Sequence, residues 1–150
     1  MKECLDTSVI VKWFKEHEAY EKEANYLLRQ INALESEFII NEWVLFEMVR
    51  ALVKSKYSKD RIVSAIEYVD GLVEVGALRS ISVSEVKDMA QRFQIEYSLY
   101  ASDAVHLATA VQTSSNIFWV MDEHFTNPKI SKMAVNYGVE VRDLSEVKIE

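Results

Sequence analysis

The sequence predicts an α/β protein with a central, mostly parallel sheet of about five short strands flanked by helices. Short apolar runs alternate along the chain with longer stretches of helical period, the pattern of strand and helix in turn. Of 150 residues, 49% are hydrophobic, so the chain can bury a core without disulfides or structural metals. With three Gly and one Pro there is little material for long linkers or Gly-rich phosphate loops. A single domain over residues 1–150 is the expectation.

The first expected strand is residues 2–5, followed at once by Asp6 and by Thr7 and Ser8, whose hydroxyls are suited to capping a helix that Val9, Ile10, Trp13 and Phe14 suggest. Tyr20, Ala24, Leu27, Leu28, Ile31 and Leu34 keep the spacing of one helix face. Phe38–Ile40 reads as the second strand, and Trp43–Val53 as a helix whose only polar residues are Glu47 and Arg50. Ile62, Val63, Ile66, Val69, Leu72 and Val73 mark the next helix, and Arg79–Ile81 a weak third strand. Ser82 and Glu85 fit a capping box, and Asp103 opens a small-residue helix over Ala104–Val111. The fourth strand is Ile117–Met121. Asn127 and Pro128 then start a helix that Gly138 ends, and Val139–Arg142 completes the sheet.

A formal net charge of −7 argues against binding nucleic acid through a broad basic face, because that mode neutralises many phosphates with Lys and Arg. It leaves open a site in which carboxylates hold divalent cations that face a phosphate. Cys4 is alone, in an expected buried strand, and reads as core. Trp13, Trp43 and Trp119 sit inside apolar runs and read as packing residues. No signal peptide or membrane span is visible, so a cytoplasmic protein is expected.

Four acidic residues stand out. Asp6 and Asp122 each follow a strand, and in an open parallel sheet the strand ends share one edge, where ligand sites form; each is also a common turn or cap residue. Glu47 lies within an apolar helix, where a charge is costly unless paired or bound to a cation, although an i, i+3 pair with Arg50 would also explain it. Asp103 suits a helix start through the macrodipole alone. His106, one turn on, could orient the Asp103 carboxylate or simply be a core residue.

Leu5-Asp6-Thr7-Ser8-Val9-Ile10, then Val44-Leu45-Phe46-Glu47 with Ala51-Leu52, then Ser102-Asp103-Ala104-Val105-His106-Leu107-Ala108-Thr109-Ala110, and finally Phe118-Trp119-Val120-Met121-Asp122 with Phe125 occur in this order. Together they resemble the PIN-domain family, and in particular the VapC-type toxins of prokaryotic type II toxin–antitoxin pairs. The resemblance spans almost the whole chain, and its first and third segments are the specific ones. One departure is Met121, where the family often has Thr or Ser before the fourth acidic residue. Glu123 is then an alternative to Asp122, and Glu42, at a helix start, a weaker competitor of Glu47.

The resemblance implies a PIN-like fold and a metal-dependent endoribonuclease that hydrolyses RNA phosphodiester bonds with Mg²⁺ or Mn²⁺. Asp6 and Asp103 would be the main ligands, Asp122 a ligand directly or through water, and Glu47 a ligand or water-positioning group. Carboxylate oxygens suit those ions, and no His or Cys cluster points to zinc. A small antitoxin protein and a homodimer are implied as partners. Trp13, Phe14, Trp43 and Phe46 exceed what one helix face need bury and add modest support, unless they fill the core. A catalytically inactive PIN-like domain that binds RNA or acts as a scaffold is the alternative from another class, favoured by Met121. A phosphate-accepting receiver domain fits less well, because Asp6-Thr7 is not an acidic pair and Arg142-Asp143 supplies no Lys after the last strand.

Overall fold

The computed structural model describes residues 1–150. Strand β1 (Lys2–Leu5) passes through Asp6 into α1 (Thr7–Ile10) and a 3₁₀ turn over Val11–Trp13. Asp6, and not the Thr7 or Ser8 hydroxyl, caps α1: it has the extended backbone of an N-cap, and its carboxylate accepts the Ser8 N–H at 3.1 Å. There follow α2 (Glu21–Asn32), β2 (Glu37–Asn41), α3 (Trp43–Lys54), α4 (Lys59–Glu74), β3 (Leu78–Ile81), α5 (Val83–Tyr97) and α6 (Ala101–Gln112). The chain ends with β4 (Ile117–Val120), α7 (Glu123–Thr126), α8 (Pro128–Asn136), β5 (Glu140–Asp143) and a 3₁₀ turn over Leu144–Glu146.

All five strands form one parallel sheet in the order β3-β2-β1-β4-β5. Period-two alternation sends Leu5, Phe38, Ile40, Ile117 and Trp119 to one face, into the core under α2, α3 and α4. Cys4, Ile39, Phe118 and Val120 point to the other face, into the core under α5, α6 and α8. A sheet covered on both faces explains why its strands read as continuous apolar runs. Burial pushes the Cys4 thiol far above its ordinary range, which keeps it an inert core residue.

The chain first winds outward from β1 through β2 to β3, then crosses back to β4 on the other side of β1 and on to β5. The winding reverses between β1 and β4, and a crevice opens there outside the strands' carboxyl ends. The local signals are realised. Ser82 and Glu85 make the reciprocal capping box of α5, Asn127 accepts the Lys129 N–H at 2.9 Å ahead of Pro128, and Gly138 follows α8 with φ +84°, a conformation a Cβ would strain. Strand β4 stops one residue before the expected Met121. Helix α6 begins at Ala101, so Asp103 is its third residue and not its opening one.

Candidate metal centre

Asp6 directly follows β1 and Asp122 lies two residues beyond β4, the neighbouring strand, so both stand at the crevice where the winding reverses. The Asp6 N–H continues the ladder by donating to the Trp119 carbonyl at 3.0 Å. Helix α6, which packs across β2, β1 and β4, brings Asp103 to the same edge. Asp6 and Asp103 are buried, with 4% and 8% of their surface exposed, although neither is paired with Lys or Arg. Two buried carboxylates with no permanent counter-charge form an arrangement that structure alone does not favour.

Burial pushes the Asp6 carboxyl above the ordinary range, against the opposing pull of the His106 charge and of the Ser8 hydrogen bonds. The Ser8 hydroxyl donates to Asp6 Oδ2 at 2.5 Å and accepts the Met121 N–H at 2.8 Å. A hydroxyl thus does stand between the first and fourth segments, although Met121 has none. Asp103 is also raised, first by burial and further by the Asp122 and Asp6 charges, while a hydrogen bond from His124 opposes the shift. Asp122 Oδ1 accepts the His124 N–H at 2.9 Å and so caps α7.

Glu47 reaches the site from α3, but its partner is not Arg50. Its Oε1 accepts from Thr7 Oγ1 at 2.8 Å and forms a short, close pair with His106 Nε2. Burial raises Glu47, and the His106 hydrogen bond and charge together with Thr7 outweigh it, leaving the carboxyl below its ordinary range. For His106 burial lowers the pKa, while the Glu47 hydrogen bond and the Asp6, Glu47 and Asp103 charges raise it by more. Each shift favours the charged form of its group, the direction expected of a carboxylate facing an imidazole. His106 therefore fixes Glu47, and not Asp103 as the sequence suggested; its Nδ1 is buried without a partner.

Glu42 Oε1 turns aside to accept the Val83 N–H at 3.1 Å, where α5 begins. Glu123 is exposed at the start of α7; like Asp6 and Glu47, it lies outside the tight cluster of donor atoms that Asp103 and Asp122 form. The residue that sequence reasoning missed is His124. Its Nδ1 lies 2.8 Å from Asp103 Oδ2, and donor atoms of Asp103, Asp122 and His124 all fall within 4.8 Å of one another. The Asp103 hydrogen bond and then the Asp122 charge hold this imidazole above its ordinary value. The donor set, carboxylates with one imidazole, suits a small divalent cation.

Residues 4–130 match the family model of the PIN domain. The chain belongs to the PIN-domain family. Solved structures agree on the fold of this PIN domain. VapBC2 from Rickettsia felis, bound to a DNA fragment from its promoter, superposes with a TM-score of 0.63 at 15% identity, over 95% of this chain and 98% of that one. VapC20 of Mycobacterium tuberculosis, a toxin that cleaves the sarcin–ricin loop, gives 0.65 at 16% identity, over 83% and 92%. FitAcB from Neisseria gonorrhoeae gives 0.61 at 14%, over 96% and 99%. No curated protein matches the sequence.

Proposed function

We propose that this PIN domain, read as one unit over residues 1–150, is a metal-dependent endoribonuclease and the toxin of a type II toxin–antitoxin pair. The observation that carries the reading is the delivery of Asp6, Asp103 and Asp122 from three separate elements to one sheet edge, two of them buried without a Lys or Arg partner. Asp6, Asp103 and Asp122 would hold Mg²⁺ or Mn²⁺, with Glu47 as a further ligand or the group that orients a water. When bound, such an ion supplies positive charge against the phosphodiester and acidifies an attacking water. Thr7 and His106 keep Glu47 ionised and fixed in direction, the state needed to accept a proton or orient a water. Asp6 is likewise fixed by Ser8.

Family membership and the toxin–antitoxin structures with the same fold support an antitoxin partner, which would cover the site or a groove beside it. A homodimer is proposed on the exposed aromatic face of α3, where Phe46 is 65% and Trp43 38% exposed. No helix is long and apolar enough to cross a membrane, in keeping with the proposed cytoplasmic location. Cleavage of a panel of RNAs, with and without chelator, tests the central reading. Activity should need Mg²⁺ or Mn²⁺, and Asp6→Asn should lower turnover by orders of magnitude with the fold intact. Undiminished cleavage in excess chelator would remove the mechanism.

A further inference from the structure

The donor set at the fourth strand's edge is not all oxygen. His124 Nδ1 lies 2.8 Å from Asp103 Oδ2 and 3.5 Å from Asp122 Oδ1. In an octahedral site with ligands about 2.1 Å from the ion, adjacent donor atoms stand about 3 Å apart, close to the first distance and shorter than the second, so a small shift of the exposed ring would bring all three donors to one ion. Backbone and ring are each held in place. The backbone N–H of His124 donates to Asp122 Oδ1 at 2.9 Å, and the face of its ring lies against Tyr100, with centroids 5.3 Å apart and planes tilted by 40°. The side chain remains 54% exposed, so a cation can enter without opening the core.

We propose that His124 is a direct nitrogen ligand of the cation held by Asp103 and Asp122, and that it makes the centre select Mn²⁺ and later first-row ions over Mg²⁺. The inference rests on the metal-dependent reading above and names the ion which that site prefers. Mg²⁺ is a hard ion that takes oxygen ligands and keeps its waters, whereas imidazole suits the ions that bind more tightly along the Irving–Williams order. As the cation enters, the proton between Nδ1 and Asp103 is released to solvent, and the freed nitrogen lone pair and carboxylate oxygen both turn to the ion.

The test uses the full chain without RNA. Titration with Mn²⁺, followed by the electron paramagnetic resonance of the free ion, gives the affinity, competition with Mg²⁺ gives the selectivity, and electron spin echo modulation reports nitrogen coupled to Mn²⁺. The wild type should show nitrogen coupling and prefer Mn²⁺. Removing a direct ligand should cost at least the roughly tenfold that loss of a ligand's hydrogen-bond partner costs, so His124→Ala should lose that factor for Mn²⁺, change little for Mg²⁺, and lose the coupling. His124→Asp replaces nitrogen with oxygen, and should restore binding without the coupling or the preference. Absence of nitrogen coupling in the wild type, its survival in His124→Ala, or equal losses for both ions would overturn the proposal. Coupling and preference in a chain that cuts no RNA would remove the nuclease reading and leave this one standing. Cleavage supported equally by both ions, without coupling, would do the reverse.

Discussion

Asp103 affects stability and chemistry in opposite directions. It is buried beside Asp122 and near Asp6, and the net effect on its carboxyl is upward, so ionising it costs the fold despite the bond from His124. Asp103→Asn should therefore raise the melting temperature in chelator while shrinking both the metal-induced shift and cleavage. A residue that merely served the start of α6 would show a modest loss in chelator and an unchanged response to metal. Melts of both proteins with and without Mn²⁺ separate the two. The same scale shows what single residues could and could not announce. Glu47 was legible because a lone carboxylate inside Trp43–Val53 had to be paired or bound. Its partner was not, because His106 lies 59 positions away and meets it only once α3 and α6 pack beside α1. His124 gave no signal at all, since an Asp followed two residues later by His reads as an ordinary capped turn.

Among the elements, α3 links the site to the surface. A groove of about 730 Å³ runs along it, lined by Trp43, Phe46, Glu47 and Arg50, with Lys54 and, from the chain before α2, Lys15. Arg50 and Lys54 form no ion pair, so cations free to meet phosphates flank the Glu47 edge of a protein that is acidic as a whole. Arg50→Ala with Lys54→Ala should weaken RNA binding measured in chelator and flatten the plot of log affinity against log salt by about one unit for each phosphate left without its cation. An unchanged slope would place the strand elsewhere. The aromatic part of the face has a separate consequence: if it joins two copies, Phe46→Ala should shift a dimer to monomer in sedimentation at micromolar concentration. A wild type that is already monomeric would end that idea. Elements were legible wherever one local rule governs them, as in the capping box of α5 or the continuous apolar runs of β2 and β4. The expectations for Trp13, Phe14, Trp43 and Phe46 separated only in three dimensions. The first two pack half-buried on the core, while the last two stay exposed because no element covers that side of α3.

At the scale of the molecule, parallel winding collects carboxylates at one edge of a chain whose formal charge is already −7, and the consequence is a pH dependence whose sign can be worked out. Asp6 and Asp103 are held above the ordinary carboxylate range, so their cost is absent below the unfolded values near about 4 and complete above the raised ones. His106 and His124 are held above the ordinary imidazole value of about 6.5, so what they contribute is present below that value and lost as pH rises through the raised ones. Glu47 is held below its ordinary range, and its contribution is lost only in acid beneath this interval. Between about pH 5 and 8, an interval above the unfolded carboxylate value and spanning the unfolded imidazole value, none of the first four groups opposes the others, and Glu47 is silent. The metal-free melting temperature should fall as pH rises through that interval. The metal-induced increase should grow over the same range, because a cation needs ionised carboxylates and an unprotonated imidazole and stabilises only the fold that gathers them. Melts in chelator and in saturating Mn²⁺ at pH 5, 6, 7 and 8, at fixed ionic strength, read both trends. In Asp103→Asn each slope should be shallower. A metal-free melting temperature that climbs through neutrality would mean that the fold does not hold these carboxylates together against their charge.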